Sequence, residues 1–363
     1  MHLYQALSDY AAGDHCPFHM PGHKRRILHA PTLPWALDTT EIAGFDDLHA
    51  PEGILLEAQA RAAALWGSDR AYFLINGSTA GLLAGIYATV SPGDRVLLVR
   101  GHHRAIDHAV ELLGLRPVYI DPPQLTGGAF DSVPPEAVEA ALETHPDMRL
   151  VVLTSPTYEG VLSDIGAIAE IAHGRDIPLF VDEAHGAHLG LSQHFPESAI
   201  SQGADLVVQS LHKTLPSLTQ TAILHRIGAR VDHARIQHAL DIFQTSSPSY
   251  LLMASIDSCV ALMADKGAEL LAAWRSRLDH FRAEATGLTR LRLLNGSIDP
   301  SKITILTAGV SLSGAALMER LRRDHRIELE MARENYAVAM TGLGSTDADF
   351  KRLLDALYAV DKG

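Results

Sequence analysis

Three short segments of this chain put chemically able side chains where an apolar run gives way to a turn or a helix. The first, Asn76-Gly77-Ser78-Thr79, opens a helical pattern with small and hydroxylated residues. Backbone N–H groups and hydroxyls at such a helix start can surround a phosphate, although Ser78 or Thr79 would serve equally well as a plain helix cap. The second, Val181-Asp182-Glu183-Ala184-His185-Gly186, closes another apolar run. Ligands gather at the carboxyl ends of strands in parallel α/β sheets, and Asp182 falls at such an end. The third is Ser210-Leu211-His212-Lys213-Thr214. A lysine beside a buried strand end has its charged form disfavoured, and a neutral amine is what forms an imine.

Each signal alone is weak; their order and spacing are not. A phosphate cradle, an acidic strand end and a strand-end lysine follow one another as in a pyridoxal 5'-phosphate site, where the carboxylate keeps the pyridine nitrogen protonated and the lysine carries the aldehyde as a Schiff base. The gap between Asp182 and Lys213 leaves room for one crossover helix and one further strand. His185 and His188, with Glu183 nearby, invite a metal reading. The glutamate does not follow the first histidine as the HExxH pattern requires, so no metal is expected.

The elements that must hold these residues read as α/β from about residue 55 to 225, with short apolar runs alternating with helical patterns. The spacing predicts buried strands at 71–75, 95–100, 117–120, 150–154, 178–182 and 206–209, and a candidate antiparallel strand at 222–225. Helices are predicted at 79–90, 105–113, 135–144 and 165–173. Beyond about residue 246 the pattern becomes one long helix, 250–286, followed by strand-like pieces at 303–307 and 336–341. The expectation is a large domain over 1–245 with a mostly parallel sheet, and a smaller α+β domain over 246–363.

Composition sets the bounds. With 363 residues, 47% of them hydrophobic, the chain can bury a core for more than one domain. Thirty Lys+Arg against 43 Asp+Glu give a formal charge of -13, and no basic run is present, so no nucleic-acid partner is expected; a small cationic molecule suits the surface better. Two cysteines, Cys16 and Cys259, supply neither a zinc spacing nor a disulfide framework, which fits a cytoplasmic protein. The amino terminus reads as neither signal peptide nor anchor, the apolar stretch 81–90 is far short of a membrane span, and no membrane partner is expected.

Beyond these features the chain resembles the Orn/Lys/Arg decarboxylase family of fold-type I pyridoxal phosphate enzymes, particularly its shorter bacterial members. The resemblance runs through Phe18-His19-Met20-Pro21-Gly22-His23-Lys24, Gly44-Phe45-Asp46-Asp47-Leu48-His49, the cradle at Asn76, Ser155-Pro156-Thr157-Tyr158, the segments around Asp182 and Lys213, Ser217-Leu218-Thr219-Gln220, Ser247-Pro248-Ser249-Tyr250 and Glu328-Leu329-Glu330. It implies that Lys213 holds the cofactor, that Asp182 pairs with the ring nitrogen, and that Ser78, Thr79, Ser210 and His212 bind the phosphate. His103 matches the family histidine that stacks on the ring, with His102 beside it, and His185 is a further cofactor contact.

The reaction implied is decarboxylation of arginine, lysine or ornithine to a polyamine or its precursor, with Lys213 or His212 returning the proton. Glu330, then Glu334, would meet the distal cation of the substrate. Arg104, Ala105, Glu52 and Ser155 depart from the family pattern. The end at Gly363 reads as a short type without the family's further carboxyl-terminal domain. A homodimer with a shared site is implied by the resemblance alone, with 219–220 or 245–249 reaching the neighbouring subunit. Other readings are an aminotransferase, for which Arg333 would grip the substrate carboxylate, an aldolase or a decarboxylase of a different amino acid, or a non-catalytic homologue.

Overall fold

In the computed structural model, which describes residues 1–13, 21, 24 and 32–363, the alternating pattern folds as an ordered series of strands and helices. Cys16 and most of the segment 18–24 lie outside the described residues. The first half contains α1 (Leu3–Ala12), α2 (Ile54–Trp66), β1 (Arg70–Leu74), α3 (Gly77–Thr89), β2 (Arg95–Val99), α4 (Arg104–Leu113), β3 (Arg116–Ile120), α5 (Pro135–Thr144), β4 (Met148–Thr154) and α6 (Ile165–His173). It continues through β5 (Leu179–Asp182), β6 (Leu206–Ser210), α7 (Leu211–Thr214), β7 (Ala222–Arg226), α8 (His233–Phe243) and the 36-residue α9 (Tyr250–Ala285). The remainder is β8 (Arg292–Leu293), β9 (Lys302–Leu306), α10 (Gly314–His325), β10 (Met331–Ala332), β11 (Tyr336–Met340) and α11 (Asp347–Lys362).

Seven strands form one sheet in the order β1-β7-β6-β5-β4-β2-β3. Strands β2 to β6 pair in parallel, and β7 runs antiparallel to both β6 and β1, as the 222–225 run predicts. Every residue of β5 and β6 is buried, as expected where helices cover both faces of a parallel sheet. This brings the carboxyl ends of β4, β5 and β6 side by side, with Thr154 opposite Asp182 and Asp182 opposite Val208.

Helix α3 lies unusually close to that sheet. A methyl on Gly85 would stand 2.5 Å from Phe180 Cε1, and one on Gly81 2.5 Å from Leu74 Cδ1. The missing side chains let the helix settle onto the strands and bring its amino terminus to their carboxyl ends. There Gly77 adopts φ +73°, a left-handed conformation that a side chain would strain.

A second, antiparallel sheet has the order β10-β11-β9-β8. It is tied to the first through the chain that leaves β4. The Asp299 N–H donates to the Gly160 carbonyl at 2.8 Å, Leu162 N–H to the Ser297 carbonyl at 2.9 Å, and Thr304 Oγ1 to the Glu159 carbonyl at 2.9 Å. These bonds seat the start of β9 against the ends of β4 and β5. No helix among the described residues is long and apolar enough to cross a membrane.

Candidate active site

A cavity of about 790 Å³ opens where the parallel strands end, walled on one side by Ser78, His103, Thr154, Asp182, His185 and Lys213 and on the other by residues 331–336 of the second sheet. Asp182 ends β5 and is 2% exposed. Its carboxylate accepts the Ala184 N–H at 3.1 Å. Burial holds it above the ordinary carboxylate range, against the opposing pull of Lys213, that N–H, His103 and His102. A cation set against this carboxylate would relieve the strain of a buried, weakly supported charge.

The neighbouring Glu183 points elsewhere. It accepts hydrogen bonds from Ser198 Oγ at 2.6 Å, Ala199 N–H at 2.8 Å and Gln209 Nε2 at 2.6 Å, and burial outweighs these to push its carboxyl up to about 7. Glu183 therefore anchors the turn after β5. A methyl on Gly186 would come within 2.6 Å of Glu183 Cγ, so the turn requires glycine at that close approach. His188 is turned into the protein core, with Nε2 3.1 Å from Asp299 Oδ1 and Trp274 against its ring. The two histidines and Glu183 thus face three different environments.

Lys213 lies on α7, directly after β6. Burial lowers its amine below the ordinary lysine value, while Asp182 and Glu330 act in the opposite direction. Its Nζ is 3.0 Å from His185 Nε2, and the Tyr158 ring packs 4.5 Å from the His185 ring. On the far side of His185, Nδ1 is 2.8 Å from Nζ of Lys302, which is only 1% exposed. Sequence reasoning missed Lys302, because a charged residue at the head of the apolar run Lys-Ile-Thr-Ile-Leu reads as a solvated strand end.

The other cofactor candidates divide. Ser78 faces the cavity, whereas Thr79 is exposed and is not part of its wall. Ser210 is wholly buried and its Oγ has no hydrogen-bond partner. His212 holds its Nδ1 3.0 Å from the Thr221 carbonyl and lies outside the cavity wall, although its charge would be felt at His185. His102 has both ring nitrogens engaged, Nδ1 at the Val99 carbonyl and Nε2 at Asp107, and stacks on Tyr119. His103 caps α4, accepting the Ala105 N–H at Nδ1, and burial lowers its ring below the ordinary value despite Asp182. This geometry leaves Nε2 of His103 available at the cavity.

Three carboxylates approach from the second sheet and the β4 loop. Glu334 stands in the cavity wall. Glu330 borders an adjacent cavity but reaches Tyr158, whose hydroxyl donates to Oε1 at 2.9 Å. Glu159, also missed from sequence, accepts the Tyr336 hydroxyl at 2.5 Å and is 8% exposed. Thr154 was not singled out either, yet its buried Oγ1 has no partner and belongs to the cavity wall.

These features fit pyridoxal phosphate. Two unpartnered buried hydroxyls, Ser210 and Thr154, and a poorly supported buried carboxylate lie at the strand ends beside a lysine with a lowered amine. The family model described as Orn/Lys/Arg decarboxylase, major domain, matches residues 1–301. The chain belongs to that family. It is 32% identical over 374 residues to the arginine decarboxylase of Halalkalibacterium halodurans, covering 98% of this chain and 76% of that one. It is 39% identical over 362 residues to the uncharacterized protein YaaO of Bacillus subtilis, covering 94% and 74%. The structure of the Francisella novicida lysine decarboxylase LdcF superposes with a TM-score of 0.86 at 20% identity over 99% of this chain. This likeness gives the fold, and the chain spans 60% of the length of that enzyme.

Proposed function

We propose that the protein is a pyridoxal phosphate-dependent decarboxylase of a basic amino acid, arginine before lysine or ornithine. The observation that carries this reading is the pairing, across one cavity, of a buried strand-end carboxylate, Asp182, with an amine of lowered basicity, Lys213. The family match supports it, and the name of the Halalkalibacterium halodurans relative puts arginine first.

The chemistry supplied by bound pyridoxal phosphate is an aldehyde that condenses with amines and a pyridinium ring that takes up the electron pair left when carbon dioxide departs. Lys213 offers the amine that holds the aldehyde, and its lowered basicity keeps more of it nucleophilic near neutral pH. Asp182, as a carboxylate in a site with little water, holds a proton on the ring nitrogen. Ser78, which faces the cavity, and Ser210, whose buried hydroxyl has no partner, would bind the phosphate with the amino terminus of α3 adding its dipole, whereas Thr79 and His212 lie outside the cavity wall. His103, in the cavity wall, would offer its imidazole to the bound ring, and His185 stands beside Lys213. Glu330 and Glu334 meet the distal ammonium or guanidinium, a charge that would be costly to bury unpaired. Lys213, in the cavity wall, would be placed to return a proton to the substrate's α-carbon, whereas His212 lies outside that wall with Nδ1 at the Thr221 carbonyl.

A homodimer completing the site from a second subunit and a cytoplasmic location belong to the same reading. The exposed Leu218 beside Thr219 and Gln220 supports the first. Within the chain, however, the Gln220 side-chain amide donates to the Ile75 carbonyl.

Arg333 lines the cavity, which favours aminotransfer as the second reading. Incubation with arginine, lysine and ornithine separates the two. The proposal expects amine and carbon dioxide in equal amounts, lost in Lys213→Ala. A keto acid with no amine would reject it.

A further inference from the structure

His185 stands between two amines, with Lys213 Nζ 3.0 Å from Nε2 and Lys302 Nζ 2.8 Å from Nδ1. A neutral imidazole carries one N–H and one lone pair, while an ammonium group can only donate. Both contacts are therefore hydrogen bonds only when at least one lysine is neutral and accepts from the ring N–H; the other donates to the bare ring nitrogen, most strongly when it keeps its proton and the bond is charge-assisted. A doubly protonated ring is opposed by burial and by the adjacent Lys302 and Lys213, which hold His185 well below its ordinary value.

Two arrangements satisfy this count at the same net charge. In one, Lys213 donates to Nε2 and Nδ1–H donates to Lys302. In the other, Lys302 donates to Nδ1 and Nε2–H donates to Lys213. They interchange when an N–H bond breaks at Lys213 and forms at Nε2, while the N–H at Nδ1 breaks and one forms at Lys302. No other reactant is needed.

We propose that Lys302 and Lys213 share a single proton through His185, Lys302 being the store to which Lys213 gives its proton on becoming a nucleophile and from which it regains one when acting as an acid. This rests on the reading of Lys213 as the imine-forming residue. Lys302 is a positioning residue, acting on the chemistry only through His185.

The surroundings suit a transfer in either direction. Lys302 is faced by the carboxylates of Asp299, Glu330 and Glu159, which support its charge; burial pulls its amine down to about 8, and Lys213 adds to that pull. Lys213 is faced by Asp182 and Glu330, and His185 by His103 and His212 besides the two lysines. With Lys302 and His185 buried and Tyr158 packed on the imidazole, bulk water has little access to the bridge.

The test is trace acetylation of the full chain freed of cofactor, from pH 6 to pH 10, with the Lys213 peptide read by mass spectrometry. The rate follows the fraction of neutral amine. In Lys302→Met, Lys213 becomes the sole carrier of the proton and donates freely to Nε2. Its labelling at pH 7 is expected to fall about tenfold, with the midpoint rising by about one pH unit. In Lys302→Arg, the guanidinium always donates and never gives up its proton, so the ring N–H is fixed on Nε2 and Lys213 is labelled at least as fast as in the parent.

Both effects must vanish in a His185→Phe background, where a through-space charge effect would persist. Parental labelling of Lys302→Met, or a difference that survives His185→Phe, overturns the proposal. Should Lys302→Met not fold, Lys302→Arg decides alone, since slower labelling than in the parent overturns it too. Borohydride fixation of pyridoxal phosphate on the parent chain tests the underlying reading separately. Failure to tag Lys213 would end that reading and leave the titration of the two amines intact.

Discussion

Thr154 and Asp182 end neighbouring parallel strands as register partners, and both line the same cavity. Asp182 has its Ala184 N–H bond, whereas the buried Thr154 hydroxyl has no partner. An unpaired buried hydroxyl adds nothing to the stability of the free chain and is open to a ligand. Thr154→Val keeps the shape and removes the hydroxyl. The free chain should be as stable as the parent or slightly more so by urea unfolding, while pyridoxal phosphate dissociates about five- to tenfold more readily, the value of one neutral hydrogen bond. Unchanged cofactor retention would assign the hydroxyl no part in binding.

Asp182→Asn separates folding from chemistry at the same strand end. Burial raises the carboxyl, so its charge opposes folding once the pH exceeds the unfolded carboxylate value. The neutral amide relieves that opposition, and thermal unfolding of the cofactor-free chain at pH 7 should not move downward. Turnover should fall about a hundredfold or more through loss of the charge that keeps the ring protonated. A variant that unfolds early yet turns over normally when cold would make Asp182 a structural residue only.

Glu334 and Glu330 should differ in what their amides disturb. Glu334→Gln and Glu330→Gln both remove a carboxylate proposed for the substrate's distal cation, and each should raise KM about tenfold, within the range of a charge-assisted hydrogen bond. Glu330 also raises the Lys213 amine, so its neutral variant should shift the acetylation midpoint of Lys213 downward. Glu334→Gln should leave that midpoint in place. A downward shift in both variants, or in neither, would show that the two carboxylates are not divided in this way.

Much of the large sheet was legible because its strands are buried on both faces. Runs such as Leu179–Asp182 and Leu206–Ser210 have no polar alternation to confuse them, and their ends locate Asp182 and Lys213 without reference to any contact. The short β8 and β10, and the polar helices α10 and α11, gave no comparable signal. Lys302, Glu159 and Thr154 were missed for another reason. Each acquires its chemistry from a partner or a cavity wall far away in sequence, as when Lys302 meets His185 across 117 positions. His103 and His102 show the same limit, since only their hydrogen bonds reveal which ring remains available to the cavity.

Asp361, near the end of α11, gives a prediction independent of the cofactor. Its carboxylate accepts the N–H groups of Thr289, Arg290 and Leu291 at 2.8, 2.8 and 2.6 Å and the Thr289 hydroxyl at 2.9 Å, pinning the last helix to the chain that follows α9. Burial opposes its ionisation, but the hydrogen bonds prevail and hold the carboxyl down at about 2, against 3.8 for an ordinary aspartate. A folded value below the unfolded one means stability that is present above about pH 4 and lost as the pH falls toward 2. The whole linkage amounts to about 2 kcal/mol, of which about 1 kcal/mol is gone by pH 3. Asp361→Asn turns amide hydrogens toward the same donors and should destabilise the chain by about 2 to 3 kcal/mol at pH 7. Urea unfolding at pH 7 and pH 3 should show that gap narrowing by about 1 kcal/mol in acid. A gap of equal size at both pH values would mean that the carboxylate's charge plays no part in holding α11.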